Sequence, residues 1–283
     1  MIKRLLLCLL LFAAFLSACQ GVGDYTVGVL GAPVEARQRL TVFAAASLTE
    51  AFTAIGAQFE AAHPNVQVVF NYAGSQQLAY QLAQGAPADV YASGNQRQMQ
   101  AVVQSGRASA REVRIFAHNR LVVVFPADNP AGIRELEDLT KPGLKLGLAT
   151  EAAPVGYYSL QFLDNASQPA ALGTRYKQNV LGNVVSYEEN VRAVLGKVLL
   201  GEVDGGIVFA SDISPANAAQ LGRLDIPDGL NVLASYYIVP VGDSDQPEIA
   251  AAFLAFVLSP QGQTILVQHG FMPRAAGLME AAQ

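Results

Sequence analysis

The stretch "TVFAAASLTEAF", residues 41–52, decides how this chain is read. An apolar run of the β type, "LTVFAA" (40–45), passes through small residues into Ser47. A helical pattern then begins, with Leu48, Ala51, Phe52, Ile55 and Phe59 on one face. Ser47-Leu48-Thr49-Glu50 fits a capping box, so the spacing predicts a strand that ends at a helix N-terminus. The succession repeats at "VQVVFNYA" (66–73), a helix from Ser75, and "DVYAS" (89–93). Strands alternating with helices predict a parallel α/β sheet beginning near Leu40.

A second block of the same kind follows. It comprises "RLVVVFPA" (120–127), "LKLGLAT" (144–150), a helix after Pro154, "NVVSY" (183–187), a helix over roughly 191–200, and "GGIVFAS" (205–211). The chain then returns through "YYIVPV" (236–241) into a helical region with Phe253, Leu254 and Val257 that ends near "GFMPR" (270–274). A segment inserted between two halves of one domain gives two lobes joined by two crossings, which suits hinge closure around a ligand. Residues 39–120 with 236–283 form the first expected lobe and 121–235 the second. At 283 residues, each lobe is long enough to bury its own core.

Ahead of the fold, Lys3 and Arg4 precede an apolar run from Leu5 to Leu16 that is shorter than the ~20 residues a spanning helix needs. Leu16-Ser17-Ala18-Cys19 closes it and resembles a bacterial lipobox. Residues 1–18 therefore read as a lipoprotein signal peptide and Cys19 as the lipidated N-terminus. Residues 19–38, "CQGVGDYTVGVLGAPVEARQ", are Gly-rich without apolar period and read as a lipid-bearing tether. With Cys8 removed and Cys19 acylated, no disulfide is expected despite an oxidising, extracytoplasmic address.

The processed chain carries 16 basic and 23 acidic residues, a charge of −7, which argues against nucleic acid or an anionic membrane surface as partner. It does not argue against a small anion. Enzyme signatures are missing. His63, His118 and His269 are scattered with no acid or cysteine at metal-ligand spacing, and read as surface or helix-end residues. No phosphate loop, nucleophile elbow or complete dinucleotide fingerprint occurs, and "GVG" (21–23) lies in the tether. The carboxylate pairs Glu188-Glu189 and Asp225 with Asp228 fit a helix start and a turn. The chain is not expected to be an enzyme, and no cofactor is expected.

What the sequence does offer is helix starts where strands end. Ser47 and Ser75 each follow a strand, at the carboxyl edge where open α/β sheets bind ligands. A helix start presents free N–H groups and a positive dipole end, both suited to an anion. For Ser47 alone, simple capping worth about 1 kcal/mol is the plainer explanation. Pro154 fits a first helical position and leaves the N–H of Val155 without an intrahelical acceptor. The next helix has two candidate starts, Ser186 with Glu189 as a capping box, or Asn190 as cap. Only the second frees the Val191 N–H.

These residues sit in motifs that resemble the substrate-binding proteins of molybdate ABC transporters over nearly all of residues 39–274. The motifs are "VFAAASLTEAF" (42–52), "YAGSQQLAYQLAQGAPADVYASG" (72–94), "LVVVFP" (121–126), "ENVRAVL" (189–195), "GIVFASD" (206–212) and "GF" (270–271). The resemblance implies a two-lobed periplasmic-binding-protein fold of type II that closes on molybdate or tungstate in its interlobe cleft and delivers it to a permease as a monomer. No direct metal ligand is implied. Hydroxyls and backbone N–H groups hold the oxyanion, and the matching positions are Ser47, Ser75, Val155 and Val191. One position departs: the family commonly has tyrosine where this chain has Phe209, which keeps the ring and loses the donor. Ser211, Tyr157 and Tyr187 are the candidate replacements. A carrier of another oxyanion such as sulfate, a ligand-sensing lipoprotein, and a hydrolase using Ser47 are the rival readings.

Overall fold

The computed structural model of the chain describes residues 37–274. The expectations for the signal segment, Cys19 and the tether up to residue 36 lie outside the described residues. In chain order the elements are β1 (Gln38–Ala45), a 3-10 turn (Ala46–Leu48), α1 (Thr49–Ala62), β2 (Val66–Ala73), α2 (Ser75–Ala83), β3 (Val90–Ser93) and α3 (Gln96–Gln104). Then come β4 (Arg114–Asn119), β5 (Leu121–Pro126), β6 (Leu146–Ala149), α4 (Pro154–Ala166), α5 (Tyr176–Gly182), β7 (Val184–Glu188), α6 (Val191–Leu199) and β8 (Gly205–Phe209). A 3-10 turn (Ala210–Asp212), β9 (Leu221–Asp225), β10 (Ala234–Pro240), α7 (Pro247–Leu258), α8 (Pro260–Gln268) and β11 (Met272–Pro273) follow, and two further 3-10 turns, Leu136–Thr140 and Ala218–Gln220, precede β6 and β9.

The strands form two sheets, one of six strands in the order β11-β4-β10-β3-β1-β2 and one of five in the order β7-β6-β8-β5-β9. Each sheet carries its own helices, giving an α/β molecule of two lobes. Where strand, helix and strand alternate, pairing is parallel: β1 lies between β2 and β3, and β6 between β7 and β8. The expected all-parallel sheet is corrected at the rest. β10 runs antiparallel to β3 and β4, and β5 runs antiparallel to β8 and β9. The physical reason is connectivity, because β5 and β10 are the strands that enter each sheet directly from the other one rather than through a helical crossover.

Sequence reading missed β4, β9 and β11. Arg114, His118 and Asn119 interrupt any apolar run in β4, and His118 is buried there instead of lying at the surface, bonded to Ser235 Oγ at 3.0 Å. β1 also starts at Gln38, not Leu40, its first residues paired with Val66 and Gln67 of β2.

Leu40 and Val42 of β1 are fully buried, as a central parallel strand covered on both faces requires. α1 lays Phe52, Ile55 and Phe59 on that sheet, and Phe59 meets Phe253 of α7 edge-on at 5.3 Å. Burying each such ring contributes roughly 2–3 kcal/mol, which fastens the C-terminal helices to the first sheet. Between the sheets, Asn231 ties the two chain crossings together: its Oδ1 accepts from Leu121 N at 3.1 Å and its Nδ2 donates to Leu121 O at 2.9 Å. No single helix among the described residues is long and apolar enough to cross a membrane.

Candidate functional site

The carboxyl ends of β1, β2, β6, β7 and β8 converge on one small cavity. Its lining is Ala45, Ala46, Ser47, Gly74, Ser75, Ala153, Pro154, Val155, Asn190, Val191 and Phe209. The structure thus brings all five residues singled out in the sequence, Ser47, Ser75, Val155, Val191 and Phe209, to the same place. None of the lining side chains is ionisable. The cavity volume is about 20 Å³, above the roughly 10–15 Å³ one water needs. Grooves of about 520 Å³ beside Ser214 and His269 and about 430 Å³ beside Arg107 and Asp243 are far larger. Neither brings helix starts from both sheets together, so size alone does not favour them over the smaller cavity.

Each donor is set by local backbone. Ser75 is the first residue of α2 and fully buried; its Oγ accepts the Gly94 N–H at 3.1 Å, which leaves the hydroxyl hydrogen free to point elsewhere. Val155 follows Pro154 at the start of α4, and Gly156 lets that first turn sit directly on the end of β6. A Cβ at Gly156 would stand 2.0 Å from Thr150 O. Asn190 is the cap of α6, so the second of the two candidate starts is the one used. Its Oδ1 accepts from Arg192 N at 3.0 Å and Ala193 N at 3.1 Å, and the Val191 N–H is left over. Among the described residues neither the Val155 nor the Val191 N–H meets a protein acceptor.

Ser47 corrects its expectation. It lies inside the 3-10 turn Ala46–Leu48 and caps nothing; its Oγ is 2.8 Å from the Tyr236 hydroxyl. The helix proper starts at Thr49, whose own hydroxyl donates to Ala46 O at 2.7 Å. The capping box failed because the strand ends on small residues that tighten into a 3-10 turn, which rotates Ser47 toward the other strands instead of toward its own helix.

Phe209 is buried at the end of β8, its ring 5.8 Å from that of Tyr236. The three expected substitutes for its missing hydroxyl are not on the cavity wall. Ser211 Oγ accepts from Asn119 Nδ2 at 2.8 Å, Tyr187 is 55% exposed, and Tyr157 packs on Tyr158. The polar group that sequence reasoning missed is Tyr236. Only its place in a strand was legible, because its neighbour Ser47 lies far away along the chain. Burial, reinforced by the charge of Asp212, pushes the Tyr236 phenol well above its ordinary value, so it stays a neutral donor. Asp212, fully buried behind Phe209, is raised by burial to about 7, against the lowering effects of Arg192 and the Phe209 N–H. One of its oxygens has no partner.

The Glu188-Glu189 pair does not start the helix as expected, because Asn190 caps it and Val191 begins it. Glu188 ends β7 and pairs with Lys197 at 3.2 Å, and Asp225 pairs with Arg223. Among the described residues no cluster of three His, Cys, Asp or Glu is placed to hold a metal ion. Ser47 has a tyrosine beside it and not a base, so the geometry gives it no means of activation as a nucleophile.

A family model described as bacterial extracellular solute-binding protein matches residues 40–272. The chain is 38% identical over 239 residues to the molybdate-binding protein ModA of Mycobacterium bovis, covering 84% of this chain and 86% of that one. Among solved structures, the periplasmic molybdate-binding protein of Azotobacter vinelandii superimposes with a TM-score of 0.71 at 19% identity, covering 82% of this chain and 98% of that one. The sulfate-binding protein SubI of Mycobacterium tuberculosis does so with 0.75 at 20% identity, covering 87% and 91%. The last two are similar in fold.

Proposed function

The chain belongs to the bacterial extracellular solute-binding proteins, and from that membership we propose that it captures a tetrahedral oxyanion, molybdate or tungstate, for the permease of an ABC importer. The observation that carries this reading is the cavity whose donors come from both lobes while no ionisable side chain lines it. It is a binding protein and performs no chemistry on its ligand.

A dianion leaves water at great cost unless nearly every lone pair meets a donor. Here Ser75 offers its hydroxyl hydrogen, Ser47 offers its own when Tyr236 donates to it, and Val155 and Val191 offer N–H groups at helix starts. Each charge-assisted bond contributes roughly 1.5–3 kcal/mol. Four give roughly 6–12 kcal/mol, a range that includes the ~8 kcal/mol of a micromolar complex, before the cost of ordering the lobes is taken off. A cage made only of donors also discriminates. Hydrogen phosphate would turn its own hydroxyl against one of them, whereas a fully ionised dianion would not.

Because the donors belong to both lobes, binding and closure are one event, and release falls to the transporter. We assign residues 39–120 and 236–283 to the first lobe and 121–235 to the second, with residues 19–38 as a tether that holds a monomer to the membrane through a lipidated Cys19. Calorimetry tests the reading: molybdate and tungstate should bind tightly and phosphate not at all. Absence of heat with both metal oxyanions would sink it, and sulfate competing on equal terms would reassign the cavity to a general dianion carrier.

A further inference from the structure

We propose that Gln76 and Gln98 are positioning residues, two amide clamps that set the Val191 and Val155 donors when the lobes meet. Each lies on a helix of the first lobe and donates across the cleft to a carbonyl just ahead of a donor helix in the second. Gln76 Nε2 reaches Glu189 O at 2.6 Å, two residues before Val191. Gln98 Nε2 reaches Ala152 O at 2.9 Å, three residues before Val155. Neither glutamine lines the cavity, and neither stands out in the sequence.

The chemistry explains why a clamp sits at these places. A carbonyl oxygen near an anion repels it, and the two carbonyls belong to the turns that deliver the N–H donors. An amide from the facing lobe occupies each oxygen and fixes the orientation of the peptide groups that follow. An ion pair accompanies each clamp: Glu50 with Arg192 beside Val191, and Arg97 with Glu151 at 3.7 Å beside Ala152. The second pair is largely exposed and contributes little, which leaves the orientation to Gln98.

Two further features mark the Gln76 clamp as a device of the closed state. Gly74 allows direct backbone approach, since a Cβ there would stand 2.6 Å from Glu189 O. The Oε1 of Gln76 is buried without a donor, a cost borne only while the lobes touch and relieved when they part. The clamp therefore positions the donors without locking the lobes permanently.

This proposal rests on the oxyanion reading, and the test separates the two. Wild type, Gln76→Ala, Gln98→Ala and the near-isosteric Gln98→Glu are titrated with molybdate by calorimetry, and dissociation is followed by stopped flow. Gln104→Ala, at the exposed end of the helix that carries Gln98, is the control. Each alanine variant should bind roughly 3- to 10-fold more weakly. The loss should lie in the dissociation rate, with association and the melting temperature of the ligand-free protein unchanged. Gln98→Glu should lose at least as much, because it keeps the shape and replaces a donor by an acceptor. Wild-type affinity and dissociation in all three variants overturn the proposal. If wild type itself binds no oxyanion, the functional reading falls and the clamps are judged by small-angle scattering. A Gln76→Ala/Gln98→Ala protein more extended than wild type supports them, and equal radii of gyration overturn them.

Discussion

The hydroxyl of Tyr236 and the Oγ of Ser47 lie 2.8 Å apart, joining a strand that returns from the C-terminal part of the chain to the turn that follows the first strand. Ser47 faces the cavity and Tyr236 is bonded to it, so a hydrogen donated by the tyrosine leaves the serine hydrogen to the cavity. Tyr236→Phe keeps the ring packed on Phe116 and Phe271 and removes that control. Molybdate affinity is expected to fall by about 1 kcal/mol, roughly fivefold, in calorimetry. An unchanged affinity would mean that Ser47 is oriented by the anion alone.

Ser47→Ala and Ser75→Ala should both weaken binding, and they should differ in stability. Ser75 Oγ is the acceptor for the buried Gly94 N–H, so Ser75→Ala leaves that donor stranded and costs about 1–3 kcal/mol of folding free energy. Ser47→Ala removes a hydroxyl whose partner, Tyr236, is also a hydroxyl, and the smaller loss should show as a smaller drop in melting temperature. Thermal scans of the two ligand-free variants check the order.

Phe209→Tyr should restore a donor at the apolar wall of the cavity. With the ring held against Tyr158 and Tyr236, the added hydroxyl is expected to tighten molybdate binding by about 1 kcal/mol. Weaker binding would show instead that a cavity of about 20 Å³ has no room for it.

Asp212 makes stability depend on pH. Its carboxyl is raised from 3.8 to about 7 by burial, so the folded state holds an extra proton between those values. The stability this group contributes is fully present below about pH 4 and is lost as pH rises through about 7, with a total on the order of a few kcal/mol. Asp212→Asn retains an acceptor for the Phe209 N–H and removes the titration. Denaturant melts of the variant should lose the fall in stability that the wild type shows across that window. The same fall in both proteins would place the titration elsewhere.

Much of the fold was legible along the chain because most of its strands declare themselves locally. Apolar runs marked β1, β2, β3, β6, β7 and β8, Pro154 opened its helix as read, and Asn190 was one of two candidate caps between which spacing did not choose. β4 was not legible, because its burial of His118 and Asn119 depends on Ser235 and Ser211, partners far along the chain. The antiparallel entry of β5 and β10 was hidden for a related reason: periodicity reports which face of a strand is buried, and not which neighbour it pairs with.

By itself, then, the sequence determined the α/β class, the two-part organisation and the helix starts that bring N–H donors to the sheet edges, since all of these rest on residue spacing within one element. Tertiary structure alone decided what those donors answer to. It turned Ser47 from a helix cap into the partner of Tyr236, emptied the cavity wall of the expected substitute hydroxyls, and set Gln76 and Gln98 on carbonyls of the facing lobe. The physical reason is that a hydrogen bond needs a partner within about 3 Å in space, and nothing in local spacing says which distant residue will stand there.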